Sequence, residues 1–326
     1  MTVDAQILTA LRSAGEESVS GADLSDRLGI TRATIWARIE ELRSLGYDIE
    51  ASPHQGYKLL SVPDVLHRDD LLSLVRGTRV IGRDIQVFQE TSSTNDVVER
   101  LARDGVGQGT VVFAESQTKG RGRLGRKWVS AAGKGLWFSV LLRPELRPQD
   151  ATQLTIIAAT ALARALRTYE LSPLIKWPND ILIGQRKLAG VLTELAAEID
   201  RIRYVILGIG MNVNSTLSDF PPDVRGVATS LRIETGAPVR RAELAAAVLR
   251  ELDSDYDRLC RGDFPNIADE WARQCATLGQ RVTIRVGDRA VHGQAEALDD
   301  SGALLLRTAH GHLERIVGGD VTLEKP

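Results

Sequence analysis

Apolar positions recur at two spacings along this chain. In the first 60 or so residues they come every three or four positions: Ile7, Leu8 and Leu11 make one stripe, and Ile35, Ile39 and Leu42 make another at i, i+4 and i+7. That is the period of helices that bury one face. Ser20 is placed to cap a helix from Gly21 to Leu28 that Gly29 closes, and Thr31 to cap a second from Arg32 to Leu45 that stops at Gly46. Two helices in such close succession predict a helix-turn-helix, with Arg32, Thr34 and Arg38 on the outer side of the second. Two short alternating runs, Tyr47 to Ala51 and Tyr57 to Leu60, flank Ser52-Pro53-His54-Gln55-Gly56 and predict a small hairpin, or wing. Ser61-Val62-Pro63-Asp64 reads as the exit into a linker.

From about residue 67 to 273 short apolar runs alternate with helix-period stretches. Strands are predicted at Val80 to Phe88, Thr110 to Glu115, Leu136 to Leu142, Leu188 to Leu195 and Arg203 to Met211. Thr94 to Asp104 reads as a helix ending at Gly105. Asp150 is placed to cap a long helix with Leu154, Ile157, Ala161, Leu162 and Ala165 inward, and Arg241 to Leu259 is strongly helical. The chain then returns to short strands between turns, at Arg281 to Val286, Val291 to Leu298, Ala303 to Thr308 and His312 to Val317, which predict a small barrel. The expected fold class is a multidomain α+β protein divided into residues 1–66, 67–273 and 274–326.

Composition narrows the field without naming an activity. With 326 residues, 43% hydrophobic and 26% charged, the chain has no apolar run long enough to cross a bilayer. Its first residues lack a basic segment followed by an apolar stretch, so a cytoplasmic protein is expected. Cys260 and Cys275 have no CxxC and no Cys/His cluster around them, which points to buried free thiols rather than disulfides or zinc. A net charge of −2 exerts no general pull on nucleic acid.

Candidate chemistry concentrates in two places. Lys119-Gly120-Arg121-Gly122-Arg123-Leu124-Gly125-Arg126-Lys127 packs five cations and three glycines into nine residues. Adjacent like charges repel unless an anion sits among them, and glycine eases irregular backbone. The stretch therefore reads either as a solvated basic loop or as a mobile loop that orders around phosphate or carboxylate. Gly120, Gly122 and Gly125 satisfy GxGxxG in form, but no helix opens after them and no clear strand ending in an acidic ribose partner follows. Gly133-Lys134-Gly135 lacks the spacing and ending of a P-loop. The second place is Lys176-Trp177-Pro178-Asn179-Asp180, followed after a strand and the Gly184-Gln185 turn by Arg186-Lys187-Leu188-Ala189-Gly190. This spacing predicts a hairpin that brings Asn179 and Asp180 near Lys187. Their oxygens suit a nucleotide-bound Mg2+, and the lysine suits phosphate or carboxylate. Standing alone, the cluster reads equally well as a surface turn with a salt-bridged lysine.

Together, Ser93-Thr94-Asn95, Gln117, Gly120 to Arg123 with Arg126-Lys127-Trp128, Lys176 to Asp180, Arg186 to Gly190 and Gly208-Ile209-Gly210-Met211-Asn212 resemble the ordered motif series of the biotin protein ligases. The resemblance covers nearly the whole chain, because the ends are similar to those of the bifunctional members that double as biotin-operon repressors. It implies a winged helix-turn-helix, a class II synthetase-like catalytic domain and an SH3-like C-terminal barrel. It also implies ATP with Mg2+, biotin as substrate, biotinyl-5'-AMP as intermediate, and a lysine of the biotin carboxyl carrier protein of acetyl-CoA carboxylase as acceptor. Operator DNA of biotin genes and a homodimer of the adenylate-bound protein are the other implied partners, with no membrane.

Residue by residue, Ser93, Thr94, Asn95 and Gln117 would hydrogen-bond the ureido ring of biotin. Arg121, Gly122 and Arg123 would cover biotin and the adenylate, and Lys187 would reach the carboxylate and the α-phosphate. Trp128, Gly190 and Gly208 would help enclose the ligand. The resemblance thus makes Arg121, Arg123 and Lys187 the catalytic candidates, while Asn179 and Asp180, by the chemistry of their own oxygens, stand as candidates for ATP-bound Mg2+. A lipoate-type ligase shares the core and the acyl-adenylate logic, and a biotin-sensing regulator without ligase activity is a rival of another class. The motifs at Lys176 to Asp180 and Gly120 to Arg123 oppose the first, and the intact Arg121, Arg123 and Lys187 oppose the second.

Residues 1–66 hold six Lys or Arg against ten Asp or Glu, so nonspecific DNA affinity is expected to be low. Phosphate contacts would come from Arg32, Arg38, Lys58 and His54, with Thr34 on the same face, and useful affinity would need two copies on a two-fold site. A winged helix serving protein contacts is the alternative. The chain departs from the family pattern at Trp36 and Ala37 and in the tail Leu323-Glu324-Lys325-Pro326.

Overall fold

Helices α1 (Val3–Ala14), α2 (Gly21–Leu28) and α3 (Arg32–Ser44) and the ladder of β1 (Asp48–Ser52) with β2 (Gly56–Ser61) open the computed structural model, which describes residues 1–52 and 55–323. The caps are those the sequence indicates. Ser20 Oγ accepts from the amides of Ala22 and Asp23, and Thr31 Oγ1 from that of Thr34. Both apolar stripes close over Leu24, Tyr47 and Ile49 as a small core of their own. Paired backbone bonds between Val19 and Tyr57 pin the wing to the segment before α2. Gly56 adopts a φ of 103° there, and a β-carbon on it would lie 2.1 Å from the Val19 carbonyl oxygen. His54 lies outside the described residues.

The stretch expected to be a linker is fixed onto the body of the protein. The Asp64 carboxylate accepts from Arg241 Nε at 3.3 Å and from Asn214 Nδ2 at 3.0 Å, and the Leu66 amide donates to Glu115 Oε1 at 2.7 Å. Arg241, 1% exposed, also donates to Glu115 Oε2 at 2.7 Å, so its buried charge is met from two sides. Helix α4 (Arg68–Leu74) follows and receives α1, with Arg12 donating to Asp70 at 2.5 Å.

The central elements in chain order are β3 (Asp84–Thr91), α5 (Thr94–Arg103), β4 (Thr110–Gln117), β5 (Gly135–Leu142), α6 (Thr152–Leu166), β6 (Pro173–Lys176), β7 (Asp180–Ile183), β8 (Arg186–Ala197), β9 (Ile202–Asn212), α7 (Leu231–Thr235), α8 (Arg241–Cys260) and α9 (Phe264–Ala272). The strands form one seven-stranded sheet in the order β3-β4-β5-β9-β8-β7-β6, in which only β3 and β4 run parallel. Helices α6, α8 and α9 cover one face. On the other, α5 sets Val97, Val98 and Ala102 against Val112, Leu141 and Ile206. With both faces covered, β5 is buried along its whole length, which is why it reads as a continuous apolar run.

Local expectations needed three corrections here. Asp150 does not cap α6: it belongs to a short turn, Pro148–Asp150, and its carboxylate is taken by Arg147 Nε at 2.8 Å. The strand expected from Val80 begins at Asp84, because the amides of Val80 and Ile81 donate instead to Asp253 at 2.8 and 2.7 Å. The cysteines are not both buried, since Cys260 is exposed and Cys275 only partly covered. The C-terminal strands, β10 (Arg281–Val286), β11 (Arg289–Leu298), β12 (Leu304–Thr308), β13 (Leu313–Ile316) and β14 (Asp320–Leu323), form a five-stranded antiparallel sheet that a bulge between Ala295 and Ala297 bends. Among the described residues no helix is long and apolar enough to cross a membrane.

Candidate active site

The site occupies the face of the sheet that α5 leaves open. Residues directed to it alternate along the strands: Ser139 on β5, Gly208 and Gly210 on β9, and Gly190, Leu192 and Glu194 on β8. The glycines make room for neighbours. A β-carbon on Gly208 would lie 2.3 Å from Asn95 Oδ1, and one on Gly210 would lie 2.6 Å from the Trp128 ring. The resulting cleft, of about 790 Å³, is lined by Ser93, Thr94, Asn95, Gln117, Arg121, Gly122, Arg123, Trp128, Asn179, Asp180, Lys187, Gly190 and Gly208. The candidate catalytic, substrate-binding and metal residues of the central domain therefore meet in one place, in a cavity of small-molecule size.

One end of the cleft is a buried hydrogen-bonded floor. Gln117 Oε1 accepts from the Thr94 amide at 2.8 Å while its Nε2 donates to Ser130 Oγ at 2.8 Å. Ser139 Oγ reaches Thr94 Oγ1 at 2.7 Å and Asn95 Oδ1 at 2.5 Å, and Asn95 Nδ2 donates to Glu194 Oε2 at 2.7 Å. Hydroxyls and amides of this kind can both donate and accept, so the floor suits a small ring that carries both functions.

The glycine-arginine stretch is irregular, as expected, and is folded in place: the Gly122 amide donates to the Arg126 carbonyl at 2.7 Å and a short turn spans Arg123–Gly125. Its cations are not equivalent. Arg121 is held by Asp96 at 2.6 Å and by both oxygens of Glu194 at 3.0 and 3.1 Å, and these bonds, Glu194 first, raise its pKa further. Two carboxylates thus already meet the charge of this implied catalytic residue. Arg126 pairs with Asp320 of the C-terminal sheet. Arg123 differs, since burial pushes its pKa down and its Nη1 donates to the neutral Asn179 Oδ1 at 3.2 Å. Its guanidinium lies against Gly318, where a β-carbon would be 2.8 Å from Nη2.

The expected hairpin brings Lys187 Nζ to 2.6 Å from Asp180 Oδ1 and 5.3 Å from the centre of the Trp128 ring. Asn179 is occupied at both ends of its amide, accepting from Arg123 and donating to the Val191 carbonyl at 2.7 Å. Asn179 and Asp180 therefore do not fit a metal held by the protein: their oxygens face Arg123 and Lys187. Among the described residues no group of three or more His, Cys, Asp or Glu side chains could hold an ion. Trp128, edge-on to Trp137 at 6.3 Å, has a buried Nε1–H without a partner among the described residues, a donor in the cleft wall.

Sequence reasoning missed Ser139, Asp96, Glu194 and the Gly318 to Thr322 segment. Glu194 was within reach, since it stands two and four residues beyond Leu192 and Gly190 on a strand whose period is two. The separate N-terminal face is only partly as expected. Arg32 and Thr34 stand exposed on α3 beside an exposed Trp36, but Arg38 is drawn back by Asp4 at 3.1 Å and by Glu41, and Lys58 is paired with Glu16 at 2.8 Å.

A seven-stranded sheet bearing this cleft between a helix-turn-helix and a β-rich end matches three family descriptions in series: a helix-turn-helix domain at 4–58, the biotin/lipoate A/B protein ligase family at 87–212 and the biotin protein ligase C-terminal domain at 277–323. The chain belongs to the biotin protein ligase family. It is 36% identical over 323 residues to the bifunctional ligase/repressor BirA of Bacillus subtilis, with 99% of each chain covered. It is 30% identical over 318 residues to the protein of that name from Escherichia coli, with 97% of this chain and 96% of that one covered. Among solved structures, the biotin protein ligase from Aquifex aeolicus in complex with biotin and ATP is similar at 31% identity and a TM-score of 0.64, covering 75% of this chain and 100% of that one.

Proposed function

We propose that this chain is an ATP-dependent biotin protein ligase that forms biotinyl-5'-AMP, transfers biotin to a lysine of the biotin carboxyl carrier protein, and represses biotin synthesis genes as a ligand-bound dimer. What carries the reading is the joining, in one cleft, of the buried hydroxyl and amide floor at Thr94, Asn95 and Gln117 with two cations, Arg123 and Lys187, at the other end. The division into residues 1–66, 67–273 and 274–326 goes with it.

In the first step a carboxylate oxygen of biotin forms a bond to the α-phosphorus of ATP, and pyrophosphate leaves. Both partners are anions. Lys187 and Arg123 donate to oxygens whose charge shifts as they meet, and a well-placed donor of this kind contributes roughly 3 kcal/mol. Holding the reactants side by side supplies much of the rest. In the second step a lysine amine of the acceptor forms a bond to the acyl carbon, AMP leaves and the amine loses its proton. Until then the mixed anhydride must be kept from water, and the glycine-arginine stretch Lys119 to Lys127, an arginine strap along the cleft wall, serves that need. Mg2+ bound to the nucleotide would offset phosphate charge. Arg121, already neutralised by Asp96 and Glu194, anchors the strap in this reading instead of touching phosphate.

The test is to incubate the protein with ATP, Mg2+ and a biotin-acceptor domain, with biotin or lipoate in separate reactions, and to weigh the acceptor. A mass gain of one biotinyl group with biotin alone is expected, and an acceptor unchanged by biotin rejects the reading. Repression is tested by gel shift at low salt, where biotin plus ATP should be needed for retention of DNA upstream of biotin genes.

A further inference from the structure

We propose that Glu194 is a positioning residue that makes closure of the arginine strap depend on what fills the polar floor of the cleft. The proposal rests on the ligase reading and assigns a residue that no motif contains. Glu194 sits on β8 opposite Ile206, on the cleft side of the sheet with Gly190 and Leu192. Its Oε2 accepts from Asn95 Nδ2 at 2.7 Å and from Arg121 Nη2 at 3.1 Å, and its Oε1 accepts from Arg121 Nε at 3.0 Å. A single carboxylate therefore joins a floor residue to the first arginine of the strap.

The floor end is rigidly framed. Asn95 is 3% exposed, accepts from Ser139 Oγ at 2.5 Å and lies against Gly208. A ring N–H donating to Asn95 Oδ1 polarises the amide, which strengthens the bond from Nδ2 to Glu194. It also fixes the amide plane, so that Glu194 keeps both oxygens turned to the guanidinium in the fork geometry that makes such pairs strong. A floor without such a donor lacks that polarisation, and the bridge from Asn95 through Glu194 to Arg121 is weaker. The other anchor of Arg121, Asp96, is the next residue along the same first turn of α5 and is itself held by Ser92 Oγ at 2.9 Å. Both carboxylates that hold the strap are thus tied to the residues that meet the ligand.

The experiment uses the full chain with biotin alone as the probe. The strap, with arginines and lysines from Lys119 to Lys127, supplies trypsin sites, and cleavage there is followed by mass spectrometry with and without saturating biotin. Biotin is expected to slow cleavage of the unaltered protein. In Glu194→Gln the slowing should largely vanish, while calorimetry shows biotin binding weakened by no more than about ten-fold, the scale of one altered hydrogen bond. Glu194→Asp, which keeps the charge, should recover part of the slowing and guards against a folding defect in the first variant. If Glu194→Gln is protected as well as the unaltered chain, or loses biotin binding altogether, the coupling is wrong while the ligase reading stands. If the unaltered chain binds no biotin, the ligase reading itself fails.

Discussion

Arg123 and Arg121 are two residues apart and chemically alike, yet their surroundings give them opposite tasks. Arg121 spends its charge on Asp96 and Glu194, whereas Arg123 is half-buried, depressed in pKa and bonded to a neutral amide, so it holds charge available to an anion. Arg123→Ala is therefore expected to leave the melting temperature nearly unchanged while free biotinyl-5'-AMP appears in solution. Full retention of the intermediate, read by chromatography of the filtrate, would count against the strap. Lys187→Met removes the second cation of the cleft, the partner of Asp180, and should lower the adenylation rate by about 100-fold or more, the usual effect of deleting one such donor, measured as pyrophosphate release. The motif residues were legible because their spacing carries information that single charges do not. Glu194 and Asp320 lie 73 and 194 residues from the arginines they hold, and nothing local marks them.

At the scale of elements, the sequence was most readable where burial is continuous or strictly periodic, as in β5, α6 and the stripes of α1 and α3. It was least readable where a tertiary partner decides: α4, α9, β6 and β14 are short, and each owes its existence to a neighbour already in place. The wing shows how little freedom such a junction has. Gly56→Ala forces a β-carbon onto the Val19 carbonyl at a backbone angle that side chains avoid, and should cost at least about 1–3 kcal/mol, visible as an earlier melting of the N-terminal domain. On α3 the arginines should separate in the same way as those of the strap. Arg32→Ala should weaken DNA binding clearly and reduce its salt dependence, while Arg38→Ala, whose charge Asp4 and Glu41 already claim, should do so less. Equal losses in the gel shift would show that Arg38 swings free of α1 on DNA.

Across the whole molecule, the α+β class and the order of its parts follow from the sequence, but their attachment does not. A Pro-containing polar stretch looks like a tether, and only the structure brings Asp64 to Arg241 and Leu66 to Glu115. The proposed dimer is tested by sedimentation, with two-fold mass expected only when biotin and ATP are both present. The bolted connector has a consequence for any operator. Reading heads on loose tethers tolerate half-sites at several separations, but heads clamped to their bodies inherit one separation from the way the bodies pair. Each inserted base pair also rotates one half-site by about 35° around the duplex. A biotin-gene operator stretched by one or two base pairs should therefore go unrecognised, although each of its halves is intact.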